Sequence, residues 1–380
     1  MSDRIQKIVT RLPDLKRVTE VWDTAEHRLA QGDVAFVADL GIALADRYGS
    51  SAARIWQYRS VFDRLLRLLT MAPGPGHAEQ AVRLVSAASP DNRKLVRYAA
   101  SLLAEGQTPH DLTFVFAGGS SRAAASEELR ACLVHEMVLR GVMIAESPAI
   151  EAWATSPHWR HHPLAWMPLE LSVIEEKPPL PSYSVGGGSY SMPYGPQDGP
   201  GVTLGSVTHL PQVTDTTTEE FSEAAAAAVA NWTEESNGRS EAGMYDLAEP
   251  VEPEGLPDLL VTLGLECLSR VSPRKRLALS SCRAEHAWRM LFAAASTGGA
   301  YNNGEYGAYG RLAAWRSVAA LSGVPTAAPV SEVEENAQAC GWYSFGAATK
   351  WFERVAWDIG LVSVAPGARR MAVLAATDTD

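Results

Sequence analysis

The chain has 380 residues, of which 46% are hydrophobic and 20% are charged, values that are ordinary for a soluble globular protein long enough to form two domains. No apolar run approaches the roughly 18 residues of a membrane span, which argues against a transmembrane segment. The formal net charge of −11 is concentrated in residues 215–258, which contain twelve acidic residues and one basic residue, Arg239. The sequence therefore does not predict the broad basic surface of a nucleic-acid-binding protein.

Residues 1–160 are predicted to form a helical domain. Apolar residues recur at helical spacing in segments that are separated by Pro13, Gly32, Gly49 and the Pro-Gly-Pro-Gly run at 73–76. The predicted helices cover residues 5–12, 14–30, 34–48, 52–71, 77–88, 92–105 and 122–141. Short helices with brief connections favour a helical bundle or a HEAT-like stack. No fixed-period sequence repeat is present, which argues against a true solenoid.

Four arginines lie opposite the apolar stripe of the predicted helix at 52–71, namely Arg54, Arg59, Arg64 and Arg67. We interpret them as a solvated face. A nucleic-acid patch is the alternative function for such a row of basic residues.

The composition changes after Pro163. Residues 169–176 alternate enough to predict a strand, residues 202–209 predict a second one, and a loop rich in Gly, Ser, Tyr and Pro covers 182–201. We treat 161–214 as one segment. Residues 215–257 are predicted to be an acidic insertion, with an Ala-rich helix at 219–232 capped by Thr218 and an exposed connection at 236–257.

Residues 258–380 are predicted to form a C-terminal α+β domain. Helices are expected at 256–271, 332–340 and 350–359, and a β-hairpin is expected from 361–364 and 370–376. The fold class predicted for the chain is thus mainly α (α+β), with a helical bundle or HEAT-like stack followed by C-terminal helices and a small antiparallel sheet.

A helix followed by a hairpin resembles the end of a winged-helix unit. A recognition helix at 350–359 would present a nearly neutral set of side chains to DNA, which are Lys350, Glu353, Arg354 and Asp358. DNA binding is therefore not favoured.

The most unusual stretch runs from 282 to 323, where two amphipathic helical patterns flank a run rich in glycine and tyrosine. One interpretation is a tight helix–helix corner, in which glycines permit close packing. The other is a surface for a ligand or partner, formed by Tyr301, Asn302, Asn303, Glu305, Tyr306, Tyr309 and Arg311. A loop that leads into a helix N-terminus favours an anion, but no Gly-Lys-Ser/Thr ending is present and the loop is not a P-loop.

Three histidines, His158, His161 and His162, are the weaker candidate for a divalent metal site. Pro157 and Pro163 leave little room for a helix between them, and no nearby residue has the spacing to complete the ligand set. A polar loop is the alternative, and no cofactor is predicted.

No arrangement for nucleophilic catalysis is convincing, because the chain has no G-x-S-x-G motif. Cys132 and His135 lie three residues apart in a predicted helix, where Cys132 is better explained as a small core residue. The four cysteines form no C-x-x-C pair, which predicts reduced thiols and, with an N-terminus that lacks an apolar signal region, a cytoplasmic protein. Asp378 and Asp380 are expected to lie in an exposed tail.

Several segments resemble a family of uncharacterised proteins from GC-rich filamentous soil bacteria. They are GGAYNNGEYGAYGRLAAWRS (298–317), WFERVAWDIG (351–360), RRMAVLAATDTD (369–380), ACLVHEMVLRG (131–141) and HPLAWMPLELSVIE (162–175). The resemblance implies a bacterial intracellular protein and implies no activity, cofactor or catalytic residue.

We therefore predict a non-catalytic protein-interaction or binding module with a protein partner and an oligomeric state left open. The alternative is an enzyme, or a protein that binds a small molecule or metal, with its site between the two domains near the loop 298–311. That site would use Arg311 with His135, Glu136 or the histidines at 158–162.

Overall fold

The computed structural model describes residues 3–50, 55–88, 92–117, 125–190, 209–269, 277–352 and 357–378. The chain divides into two compact units, the first formed by Met1–Ala165 and Pro181–Ser189 and the second by Trp166–Leu180 and Tyr190–Asp380. In these parts of the chain no helix combines the length and the apolar character that a membrane crossing requires. The predicted class, mainly α with an antiparallel sheet, is confirmed.

The first unit consists of nine described helices and one hairpin. The helices are α1 Asp3–Arg11, α2 Thr19–Ala30, α3 Val34–Tyr48, α4 Trp56–Met71, α5 Pro75–Ala88, α6 Arg93–Gly106, α7 Thr113–Phe116, α8 Glu127–Leu139 and α9 Pro148–Ala154. The helix predicted at 34–48 is confirmed to the residue, and it begins at Asp33, whose side chain accepts a hydrogen bond from Phe36 N. The predicted helix at 122–141 is shorter, because Ser126 caps α8; residues 122–124 lie outside the described part.

The helices of the first unit pack in chain order. The main contacts of α3 are with α1, α2, α4 and α5, and those of α4 are with α2, α3, α5 and α6. Each helix thus packs mainly on helices one or two places away in the sequence, which is typical of stacked helical pairs. This arrangement favours the HEAT-like stack over the closed bundle.

A small hairpin, β1 Ser182–Ser184 with β2 Gly187–Ser189, packs on α4. Arg64 Nη1 and Arg67 Nε donate to Val185 O at 2.8 and 3.0 Å. The prediction of a solvated arginine face is therefore wrong for Arg64 and Arg67, whose guanidinium groups hold a backbone carbonyl. Arg59 is exposed as predicted, and Arg54 lies outside the described residues.

The second unit contains six helices among its described residues, α10 Glu219–Ala225, α11 Ala230–Glu235, α12 Leu256–Thr262, α13 Ala284–Thr297, α14 Tyr306–Leu321 and α15 Val330–Ala339. Thr218 caps α10 as predicted, with Phe221 N donating to its hydroxyl at 3.1 Å. The single Ala-rich helix predicted at 219–232 is wrong, since a 3-10 turn at Ala227–Val229 separates α10 from α11. The helix predicted at 256–271 ends early, before Gly264, which has a positive φ.

The strand predicted at 169–176 is also wrong. A 3-10 turn, Val173–Glu175, stands there and is closed by a capping box: Ile174 N donates to Ser172 Oγ, and Ser172 N donates to Glu175 Oε2 at 2.9 Å. The second predicted strand, at 202–209, lies almost wholly outside the described residues.

Six antiparallel strands form the central sheet of the second unit in the order β3-β4-β8-β7-β6-β5. Their bounds are β3 Val213–Asp215, β4 Arg239–Leu247, β5 Leu277–Cys282, β6 Gly341–Ala347, β7 Asp358–Val364 and β8 Arg370–Thr377. The exposed connection predicted at 236–257 is wrong, because β4 pairs with β8 from Arg239 to Asp246. The acidic segment at 215–257 thus contributes β4 and α10 to this unit.

The sheet is covered on both faces, which explains why β7 and β8 are almost entirely buried. On one face α14 accepts a hydrogen bond at Leu321 O from Ser363 Oγ, and α15 accepts one at Ala337 O from Trp342 Nε1 at 2.7 Å. On the other face the sheet and α12 share an apolar core, which includes Leu256, Leu259, Leu260, Tyr245, Leu279, Phe345, Val362 and Val373. The second unit is therefore a three-layer α/β/α structure.

The predicted C-terminal hairpin is confirmed as β7 and β8, whereas the helix predicted at 350–359 is wrong. Asp358 and Ile359 belong to β7, where they pair with Thr377 and Ala376. Trp351 and Phe352 are buried core residues outside any helix, while Glu353 and Arg354 lie outside the described residues. The recognition helix that a winged-helix unit would need at 350–359 is therefore not formed by the described residues.

Candidate functional site

The loop between α13 and α14 is held by the protein's own polar groups. Gly299 N donates to Asn302 Oδ1 at 2.7 Å, Ala300 N to Asp378 Oδ2 at 2.6 Å and Tyr301 N to Ser236 Oγ at 3.2 Å. The anion that its backbone N–H groups favour is thus an internal carboxylate. The prediction that Asp378 lies in an exposed tail is wrong, since the residue is 1% exposed; Asp380 lies outside the described residues.

The seven residues predicted to contact a ligand differ in accessibility. Tyr301 is 59% exposed and Asn303 is exposed, whereas Asn302, Glu305 and Tyr309 are half-buried and Tyr306 is buried. Asn302 Nδ2 donates to Asn231 O. Tyr306 is the first residue of α14, has a φ of 60° and is buried. The structure therefore exposes only Tyr301 and Asn303 of this set.

Arg311, the seventh residue, lies in a buried ion pair. Its Nε donates to Glu175 Oε1 and its Nη2 to Glu175 Oε2, both at 2.7 Å, and both side chains are 0% exposed. Nη1 donates to Pro168 O at 2.9 Å and Nη2 also to Glu170 O at 2.8 Å. These contacts occupy the guanidinium edge that a ligand would need.

The histidine segment forms two 3-10 turns, Pro157–Trp159 and Pro163–Trp166. His162 Nδ1 accepts from Leu164 N at 3.2 Å, so its Nε2 carries the proton and donates to Glu128 Oε2 at 3.1 Å. His161 is exposed, and the side chain of His158 lies outside the described part. Among the described residues no group of three or more His, Cys, Asp or Glu side chains could hold a metal.

Cys132 and His135, the pair considered for nucleophilic catalysis, are both fully buried in α8. The Cys132 thiol faces Glu128 Oε1 at 4.0 Å, and His135 packs on Trp159. Burial is the largest cause that raises the pKa of the Cys132 thiol well above its ordinary value, and the carboxylates of Glu128 and Glu136 raise it further. Glu136 accepts a hydrogen bond from Arg140 Nη1 at 2.6 Å. Cys132 is therefore a protonated core thiol.

The remaining cysteines are also protonated at neutral pH, because burial raises the pKa of Cys282 to about 12 and that of Cys340 to about 11. For Cys267, burial and then Glu241 raise the pKa further. A nucleophilic cysteine requires the opposite shift.

The feature that the sequence interpretation missed is the edge strand β5, Leu277–Cys282. It pairs with β6 from Leu277 opposite Ala347 to Cys282 opposite Trp342, and it is the last strand of the sheet. Only Leu279 is fully buried in it. The alternation of Leu277 and Leu279 was the available signal, but the strand has no β-branched or aromatic residue that would have made it recognisable.

A cleft of about 340 Å³ adjoins the C-terminal end of β5. It is lined by Ser281, Cys282, Arg283, Ala284, Glu285, Gln338, Cys340, Gly341, Trp342 and Tyr343. Arg283 Nη1 lies 3.6 Å from Glu285 Oε1 on its rim. The opposite edge of the sheet, β3, has only three residues. The longer edge strand and the cleft therefore form the candidate site, which we call the β5 edge.

These features define a protein of two units, one a stack of helices and one a three-layer α/β/α structure in which β5 is the edge strand of the described sheet. The model of the family described as "Family of unknown function (DUF6183)" matches residues 19–380, and the chain belongs to that family. The resemblance to a family without a known activity is thereby confirmed. No curated protein and no solved structure matches the chain.

Proposed function

We propose that this protein is a non-catalytic interaction module that binds an extended segment of a partner protein by adding it to the sheet as a strand next to β5. The observation that carries the proposal is an edge strand of six residues that pairs only with β6 among the described residues. Strand addition is an established way for a sheet edge to bind a peptide.

The backbone of β5 supplies the groups for such binding. In an antiparallel pair, successive residues direct their N–H and C=O groups alternately towards the partner strand and away from it. Half of the six residues of β5 therefore present both groups to the outer side of the sheet. A partner strand in register with β5 would satisfy them.

The composition of β5 indicates what kind of segment fits. The strand reads Leu-Ala-Leu-Ser-Ser-Cys, without a charge or a proline. Natural edge strands that avoid pairing commonly carry lysine, proline or a bulge. The partner is thus an uncharged extended segment, about as long as β5, and the cleft beside Trp342 and Tyr343 has room for one large side chain.

Two further features support a binding role in the bacterial cytoplasm. All four cysteines are free, which suits a reducing compartment. The net charge of −11 favours a protein partner over a nucleic acid. Cell fractionation with an antibody against the native protein tests the compartment, and recovery outside the cytoplasm would refute it.

A matched pair of substitutions at Ala278, an exposed residue of β5, tests the proposed function. Peptides selected from a random extended library on the wild-type protein are titrated against Ala278→Thr, which favours a strand, and Ala278→Lys, which places a charge on the edge. We expect Ala278→Thr to bind normally and Ala278→Lys to lose about tenfold or more in affinity, with both variants keeping the wild-type melting temperature.

Hydrogen exchange identifies the location of binding. A bound peptide should protect amides within Leu277–Cys282 that exchange freely in the unbound protein. The proposal is refuted if protection appears on other elements, or if Ala278→Lys binds like the wild type. It is also refuted if native mass spectrometry shows a dimer that Ala278→Lys dissociates, since the occupant would then be a second copy of the chain.

A further inference from the structure

A groove of about 640 Å³ lies in the second unit, away from the cleft at the C-terminal end of β5. The described residues that line this groove are Arg239, Glu266, Ser269, Ala348, Thr349, Lys350 and Trp351. Two of these side chains are cationic and one is anionic. The groove therefore combines a local excess of positive charge with a wall formed by an indole ring.

Arg239 is held in place by the groove itself. Its guanidinium lies over the Trp351 ring, with Cζ 4.3 Å from the ring centroid, and its Nη2 donates to Lys350 O at 3.3 Å. Stacking on an aromatic face fixes the plane of a guanidinium and leaves its edge directed outwards. A guanidinium fixed in this way can bind a carboxylate or phosphate with two parallel hydrogen bonds and little loss of side-chain entropy.

Trp351 is an equally fixed support. Its backbone N–H donates to Thr349 Oγ1 at 3.2 Å, and Thr349 Oγ1 donates to Cys267 O at 3.0 Å. Trp351 is 4% exposed, and its Nε1 is buried without an acceptor among the described residues. The buried indole ring therefore holds a fixed position against the guanidinium of Arg239.

The two nearby carboxylates compete weakly with an external anion. Glu266 Oε1 lies 3.7 Å from Arg239 Nη1, beyond hydrogen-bonding distance, and its side chain is 72% exposed. Glu241 accepts hydrogen bonds from Glu266 N and Cys267 N at 2.8 and 3.1 Å, so its charge is directed to the backbone. Neither carboxylate occupies the guanidinium edge as Glu175 does at Arg311.

We propose that this groove binds the oxyanion of a small molecule, a carboxylate or a phosphate group, with Arg239 as the principal contact. Lys350 supplies a second positive charge on the same wall, and Ser269, which is exposed, supplies a hydroxyl. No described residue lines both this groove and the cleft of the β5 edge, so either proposal can fail without the other.

The test uses the full chain labelled with 5-fluorotryptophan and titrated separately with inorganic phosphate and with succinate. The Trp351 signal, assigned by its loss in Trp351→Phe, should shift and saturate at millimolar concentrations or below with one of the two anions, which identifies the oxyanion. Arg239→Gln should weaken that binding about tenfold or more, and Arg239→Lys should also weaken it because lysine lacks the planar fork.

Arg370→Gln is the matched control, since Arg370 is an arginine of the same sheet that pairs with Asp246 outside the groove. It changes the net charge by the same amount and should leave the titration unchanged. An equal loss of binding in Arg370→Gln would show general charge attraction and overturn the proposal. A Trp351 signal that does not saturate with either anion would overturn it as well.

Discussion

Arg311 and Glu175, which are 136 positions apart in the sequence, form a bidentate ion pair with no solvent exposure on either side chain. Trp315 Nε1 donates to the same Glu175 Oε1 at 2.7 Å and Ser172 N donates to Oε2 at 2.9 Å, so one carboxylate accepts four hydrogen bonds. The pair attaches Trp166–Leu180 to α14 within the second unit. It is the main reason why Arg311, a predicted ligand contact, is a structural residue.

Removal of one partner of this pair should be strongly destabilising. Arg311→Met leaves the Glu175 carboxylate buried without its counter-charge, and we expect a loss of about 3–5 kcal/mol in the free energy of unfolding. Urea denaturation followed by hydrogen exchange in α14 measures the effect on the second unit. The double variant Arg311→Met with Glu175→Met removes both buried charges and should recover part of the loss. The recovery should be incomplete, because Pro168 O, Glu170 O and Trp315 Nε1 lose their hydrogen-bond partners. Single variants that lose less than about 1 kcal/mol would contradict a buried, charged pair.

Gly310 should not tolerate a side chain. A Cβ atom there would lie 2.8 Å from Ser296 Cβ and 2.9 Å from Ser296 Cα, so Gly310→Ala would push α14 away from α13. We expect a loss of about 1–3 kcal/mol, measured by chemical denaturation. Gly76→Ala in α5 is the control, since a Cβ there meets nothing within 4 Å; it should be neutral or slightly stabilising. If the two variants behaved alike, close helix packing would not explain the glycine.

The longer helices of the first unit were predictable from the sequence because their apolar residues repeat locally, whereas the helix predicted at 350–359 was wrong. The helix at 34–48 carries both its periodic pattern and its cap, Asp33, within a few residues. The strand β4 was not predictable in the same way. Glu241 and Gly243 lower its apparent strand propensity, while its stability comes from pairing with β8, more than 120 residues later.

The candidate site was predictable only in part, because its contacts join residues that are far apart in the sequence. Glycines and tyrosines correctly identified the corner between α13 and α14, since a close approach of two helices is a local property. The partners of that corner are distant, as Ala300 N with Asp378 and Arg311 with Glu175 show. An edge position is a property of the sheet order, so no local pattern could indicate that β5 pairs with β6 alone among the described strands.

Asp378 should be the anchor of the loop between α13 and α14. Its carboxylate accepts the Ala300 N–H at 2.6 Å, and a hydrogen bond to a charged acceptor contributes about 1.5–3 kcal/mol. In Asp378→Ala we expect the Ala300 amide to exchange about tenfold faster or more, as measured by hydrogen–deuterium exchange. Asn303→Ala changes an exposed side chain of the same loop and should leave that rate unchanged. Equal protection in both variants would show that the loop is held elsewhere.

Cys282 and Cys340 should react slowly with alkylating reagents in the folded protein. Burial raises their pKa values to about 12 and about 11, and the thiolate is the reactive form. At pH 8 the thiolate fraction of Cys340 is about one in a thousand, against roughly a quarter in an unfolded chain. Mass spectrometry of iodoacetamide-treated protein, native and in urea, measures the difference. Rapid labelling of native Cys340 at pH 8 would contradict the raised pKa.

The same pKa shift predicts how stability depends on pH. Because the folded pKa lies above the unfolded one, the unfolded state loses its thiol proton first as the pH rises. The contribution of Cys340 to stability should be complete below about pH 8.5 and should be lost as the pH rises towards about 11. Cys340→Ala removes this titration, so its free energy of unfolding should fall less than that of the wild type between pH 8.5 and pH 10. Parallel pH profiles for the two proteins would show that Cys340 titrates normally in the folded state.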